Sequence, residues 1–199
     1  MLASGSGSNF EAVVTTSRAG ELPLDVTTLV VNRADAHVRE RALNLRVDER
    51  LVRRGDSSRE AHDAQLLETV AETKPDLVLL LGWMHVLAAD FIERFPEILN
   101  LHPAYLPLDP SADQVTLPDR SAQRVYRGRH AVDDALREGA RWIGASVHRV
   151  ERSVDRGEVL ARAPLRIDPD EPREALDARL HALEREVVAE AIKRWSRRR

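Results

Sequence analysis

The sequence predicts an α/β fold: a Rossmann-like open, mostly parallel sheet with helices on both faces, in one domain spanning residues 1–199. Three observations carry that reading. Short apolar, β-branched or leucine-rich stretches recur along the chain, helical patterns separate them, and 199 residues suit one full hydrophobic core. Strands alternating with helices of this size indicate crossover units.

The chain opens "LASGSGSNF" (2–10), a Ser/Gly run that composition alone leaves open between a flexible spacer and a phosphate-binding loop. The pattern "SNFEAVVTTSRAG" then reads as a helix ending at Gly20, a natural C-terminal cap. "LDVTTLVVN" (24–32) reads as a strand buried on both faces. "SSREAHDAQLLETVAETKPD" is a helix with Ser57 as its N-cap, stopping before Pro75. Two more buried strands follow, "DLVLLLGW" (76–83) and "EILNLHP" (97–103).

Residues 103–128, "PAYLPLDPSADQVTLPDRSAQRVYRG", hold four prolines and no clear period. A segment that long without secondary structure is a lid, a binding loop or disorder. "HAVDDALREGA" is a helix, "RWIGASVHRV" (141–150) a strand, and a second apolar strand follows the turn at Gly157. The C-terminal helix, about 172–196, carries an apolar stripe through Leu176, Leu180, Leu183, Val187 and Ile192.

Composition is that of an ordinary soluble domain, 43% hydrophobic and 32% charged. The net charge of -3 argues against nucleic acid as the partner, and the basic tail "KRWSRRR" (193–199) reads as a solvated, frayed helix end. There are no cysteines, which excludes disulfides, thiolate zinc sites and a cysteine nucleophile. The longest apolar run, "LVLLLGWM" (77–84), falls well short of the roughly 20 residues that cross a bilayer. With no secretory signal pattern, a cytoplasmic protein without membrane partners is expected.

In an open α/β sheet ligands bind beyond the carboxyl ends of the strands. Asn100 and His102 lie two apart at such an end, so an extended backbone projects them from one face, and Pro103 ends the strand. A carboxamide that can donate to an oxyanion then sits beside an imidazole that can move protons; a satisfied turn is the plainer reading. In "GASVHRVERSVDRGEVL" (144–160), Asp155 precedes Arg156 and Gly157 as in an ordinary β-turn. Its functional reading requires it to approach His102. His148 lies inward in an apolar strand, as a core histidine or as a partner of the site.

Taken together, "SGSGSNFEAV", "NRADA", "LLLGWMHVL", "LNLHPAYLP" and "GASVHRVERSVDRGEVL" occur in one order. The series resembles the phosphoribosylglycinamide formyltransferases (glycinamide ribonucleotide transformylases), folate-dependent enzymes of purine biosynthesis, over about Ser4 to Trp195. The resemblance implies formyl transfer from 10-formyltetrahydrofolate, as co-substrate, to the amine of glycinamide ribonucleotide, with no metal required. It implies Asn100, protonated His102 and Asp155 as the catalytic trio. It implies Gly7, Ser8 and Asn9 as the phosphate loop, and Glu184 facing the glycinamide. Arg59, Met84, His85, Val86 and Leu87 are implied on the folate side. The small-molecule substrates are the implied partners, and a homodimer is compatible with the family.

The sequence also departs from the family pattern. Only Met1, Leu2 and Ala3 precede Ser4 where relatives carry a full strand, so a truncated, less stable first strand is expected. The loop 103–128 lacks the Pro-Gly found before the histidine in relatives, and His85 stands where many carry Arg. The competing readings are a formyltetrahydrofolate deformylase, another folate-dependent formyltransferase, and a non-catalytic folate- or nucleotide-binding relative.

Overall fold

The computed structural model describes residues 1–198. The chain forms one seven-stranded sheet of order β3-β2-β1-β4-β5-β8-β9 and a separate two-stranded β6-β7 ladder. By compactness it divides at β5 (Ile98–His102) into two units, Met1–Leu99 and the part from Asn100 onward.

The first unit holds the parallel half of the sheet. β1 is only Leu2–Ala3, yet Leu2 pairs with Val30 on β2 (Thr28–Val31) and with Leu80 on β4 (Val78–Leu80). Both its residues are buried, and its flanks extend the ladder: Val30 N–H donates to Met1 O, and Leu81 N–H to Leu2 O. Helix α1 (Ser8–Arg18) follows and closes at Ala19 and Gly20, with Phe10, Val13 and Val14 turned into the core. Gly20 adopts a left-handed φ of 77°, which favours glycine at a helix exit.

Two elements escape the hydrophobic pattern. Helix α2 (Val38–Asn44) is seven residues long, and β3 (Asp48–Leu51) reads "DERL". β3 is the sheet's edge, where charged side chains are tolerated and discourage pairing with another chain. Helix α3 (Arg59–Glu72) is capped by Ser58 rather than Ser57: Ser58 Oγ accepts from Ala61 N–H at 3.2 Å. The short α4 (Ala89–Arg94) leads into β5.

In the second unit, residues 103–128 are not structureless. They carry an antiparallel hairpin, β6 (Gln114–Thr116) with β7 (Ala122–Arg124), over an apolar cluster of Leu106, Val115, Leu117 and Val125. Strands of three residues are too short to show a period in sequence. Asp113 accepts from both Arg127 and Arg156, which ties the hairpin base to the turn before β9.

After α5 (Ala131–Arg137), the long β8 (Trp142–Arg149) pairs antiparallel with β9 (Val159–Arg166). The strands approach closely at Gly144, where a Cβ would lie 2.3 Å from Ala163 O. The register shifts between Val147 and His148, and such irregularities re-aim side chains. Helix α6 (Arg173–Ser196) packs on both strands, burying Leu176, Leu180, Val187 and Ile192 of the expected stripe, while Leu183 is half-buried. Its basic end is held rather than frayed. Arg194 donates to Leu160 O and Arg198 to Glu158, and Arg199 lies outside the described residues.

No helix among the described residues is long and apolar enough to cross a membrane.

Candidate active site

The strand order reverses between β1 and β4, and in open α/β sheets that switch point is where ligands sit. The two loops leaving it are the Ser/Gly run and the segment from Gly82. They are joined directly: Ser4 N–H donates to Gly82 O at 3.1 Å, and Met84 N–H to Ser4 Oγ at 3.2 Å. The opening run is therefore an integral loop of the fold rather than a spacer.

Gly7 is the N-cap of α1, with a left-handed φ of 79° and no side-chain cap. A Cβ there would lie 2.4 Å from Val38 Cγ2, so glycine is required twice over, by conformation and by packing. The first-turn amides of α1, beginning with Ser8 and Asn9, follow this glycine at the positive end of the helix dipole. That is the chemistry of an anion site.

On the Gly82 side, Met84 and Val86 are 54% and 56% exposed, large apolar side chains presented at the surface. Leu87 is buried in the core, and His85 is mostly covered. Arg59 Nη2 donates to Val86 O at 3.3 Å, so α3 brings Arg59 to this segment.

In the second unit, β5 ends with Asn100 and His102, and the turn after β8 swings Asp155 toward them. Asp155 adopts a left-handed φ of 53°. The turn is tight because Gly157 lies against Arg149, where a Cβ would approach Arg149 O to 1.9 Å. Asp155 Oδ2 lies 3.4 Å from His102 Nδ1 and accepts Gly128 N–H at 2.7 Å. Its Oδ1 faces His148 Nε2 at 3.3 Å and Asn100 Nδ2 at 3.5 Å.

Both imidazoles are oriented by carbonyls. His148 Nδ1 donates to Arg149 O at 2.7 Å, which leaves Nε2 to accept from Asn100 Nδ2 at 3.2 Å. His102 Nε2 donates to Tyr126 O at 2.8 Å. Burial favours a neutral Asp155 carboxyl, but the neighbouring imidazoles of His148 and His102 and the Gly128 amide outweigh it. The pKa falls to about 2. Burial pulls the His102 imidazole below its ordinary range, and Asp155 and the Tyr126 carbonyl oppose this without reversing it. Burial thus works against the protonated His102 that the resemblance implies, while the Asp155 carboxylate 3.4 Å from Nδ1 and the Tyr126 carbonyl at Nε2 favour it.

The structure gathers Asn100, His102 and Asp155 into one cluster. His148, open in the sequence between a core histidine and a partner of the site, lies in it with a ring nitrogen on the Asn100 amide, and Tyr126 and Gly128, absent from the sequence expectations, meet His102 and Asp155 through their backbone. A signal for His148 existed in the sequence. Ser146 and His148 are two polar residues at strand spacing in an otherwise apolar run, and Ser146 Oγ is also engaged, donating to Ala104 O. Glu184 lies on the buried face of α6 between Leu180 and Val188.

Residues 1–192 match the family described as Formyl transferase. The phosphoribosylglycinamide formyltransferase of Mycobacterium tuberculosis is 32% identical over 194 residues, covering 96% of this chain and 81% of that one. The crystal structure of glycinamide ribonucleotide transformylase 1 from Symbiobacterium toebii superposes with a TM-score of 0.82 at 33% identity, covering 96% of this chain and 83% of that one. The chain is also 29% identical to a 196-residue stretch of the trifunctional purine biosynthetic protein adenosine-3 of Drosophila melanogaster, spanning 13% of that protein.

Proposed function

The chain belongs to the formyl transferase family, and we propose that it transfers the formyl group of 10-formyltetrahydrofolate to the primary amine of glycinamide ribonucleotide, a step of purine biosynthesis. The observation that carries the mechanism is the buried Asp155 carboxylate with Asn100, His102 and His148 all turned to it.

The co-substrate supplies an activated formyl carbon, and the residues on the Gly82 side fit such a molecule. Met84 and Val86 offer exposed apolar surface for a fused ring, and the Arg59 guanidinium suits an anionic tail. Gly7, Ser8 and Asn9 bind the ribonucleotide phosphate through first-turn amides. Glu184 is the carboxylate assigned to the glycinamide end.

Asn100 and His102 stabilise the oxygen on which negative charge develops as the amine adds. Both give up resting partners to do so. Asn100 releases its long 3.5 Å contact to Asp155, and His102 exchanges the neutral Tyr126 carbonyl for a charged, stronger acceptor. The Asp155 carboxylate faces His102 Nδ1, stabilises the charged form of the ring while the oxyanion exists, and helps relay the proton lost by the attacking nitrogen to the departing folate nitrogen. A cytoplasmic setting fits a chain without cysteine.

The test follows tetrahydrofolate release from 10-formyltetrahydrofolate with and without glycinamide ribonucleotide. Amine-dependent turnover with formylated ribonucleotide as product is expected. Turnover that ignores the amine and yields formate would replace this reading with a deformylase.

A further inference from the structure

We propose that His62, Asp63 and His85 form a binding site for a divalent transition-metal cation of the zinc class, with His62 Nδ1, Asp63 Oδ1 and His85 Nε2 as ligands. The three ligand atoms lie within 4.8 Å of one another. Two come from the first turns of α3 and one from the loop after β4, so the site is assembled from two separate parts of the first unit.

Both imidazoles converge on one oxygen. His85 Nε2 lies 2.6 Å and His62 Nδ1 3.4 Å from Asp63 Oδ1, and the two rings meet edge to face at 4.8 Å. His62 is the informative member because it is almost fully buried, and its Nε2 lies 3.3 Å from Val52 O. A backbone carbonyl only accepts, so the proton of a neutral ring sits on Nε2 and the Nδ1 lone pair faces the carboxylate. Two buried acceptors facing each other repel unless a cation lies between them. A histidine that donates one ring N–H to a backbone carbonyl and offers the other nitrogen inward is oriented as metal ligands are.

The donor set selects the metal. Two imidazoles and one carboxylate suit zinc and its neighbours rather than calcium or magnesium, and three protein ligands leave a position for water. Tetrahedral zinc holds ligand atoms roughly 3.3 Å apart, a value that falls between the two distances at Asp63 Oδ1. Arg59 does not compete for that oxygen, since its Nε approaches Oδ2 at 3.5 Å from an exposed position.

The experiment uses the full chain after chelator treatment, titrated with Zn²⁺ by calorimetry and with Co²⁺ by visible absorption. His85→Ala and Asp63→Asn are compared with His130→Ala, an exposed histidine outside the cluster. Expected are one equivalent of Zn²⁺, affinity weakened roughly tenfold or more in the first two variants, and no change in the third. The Co²⁺ complex should show the ligand-field bands of a four- or five-coordinate ion. Circular dichroism of the metal-free variants establishes that they fold, and Zn²⁺ should raise the Tm of the unaltered chain but not that of His85→Ala. Substoichiometric binding, or equal binding by His85→Ala and the unaltered chain, would overturn the site.

Discussion

His102 Nε2 donates to the carbonyl of Tyr126 at 2.8 Å, so the imidazole at the end of β5 is held in the resting protein by the long segment that follows it. The same stretch sends Gly128 N–H to Asp155. The segment 103–128 is therefore built into the cluster through its backbone.

Asn100→Ala removes one donor to the developing oxyanion. Loss of such a donor costs on the order of a hundredfold or more, so kcat should fall by that amount. The KM for the folate should change little. Steady-state kinetics with each substrate varied in turn checks both.

His148 acts through Asn100 rather than on the substrate. His148→Phe takes away the acceptor that orients the amide, and kcat should fall by about tenfold, less than for Asn100→Ala. Because the two share one function, the double variant should be no slower than Asn100→Ala alone. Additive losses in the four-member cycle would show that His148 works independently.

Gly7→Ala introduces both a left-handed alanine and a clash with Val38. A loss of about 1–3 kcal/mol in stability is expected, with a raised KM for the ribonucleotide. Adding Val38→Ala should recover only the smaller, Cγ2 part of the loss, because Val38 Cβ and Cα would still lie 2.5 and 2.8 Å from the new methyl, and leave the rest. Urea melts of the single and double variants separate the two.

Acid should destabilise the protein in two windows. Asp155 has a folded pKa near 2 against an ordinary 3.8, so its contribution is complete above about pH 4 and disappears as pH falls toward 2. His102 has a lowered pKa, so below about pH 6.5 the unfolded chain takes up a proton that the folded chain refuses, and stability falls there as well. Urea midpoints measured across pH should therefore slope the same way in both windows. His102→Gln should flatten the upper one and, because His102 helps hold Asp155 ionised, make the lower one shallower.

The sequence made legible those parts whose causes are local. The buried strands at 28–31, 78–80, 98–102 and 142–149 each sit inside an apolar run, and α1, α3, α5 and α6 follow their periods. β3 was hidden because an edge strand can be charged, and α2, α4 and the hairpin because they are shorter than a readable period. In the site, Asn100 and His102 share a face by the two-residue repeat of a strand. Asp155 lies 55 positions from Asn100, and its approach depends on the turn before β9, which no local rule supplies. Burial of His102 likewise follows from tertiary packing.

One carboxylate, Asp155, faces two imidazoles and an amide and accepts a loop N–H, while its own backbone oxygen receives Arg127 Nε. Replacing its side chain therefore perturbs four relationships at once, and the resulting rate would be a sum without an interpretation. Dissection of the site belongs at the spokes, with Asn100, His148 and the Gly128 amide altered singly and in pairs while the hub is left in place.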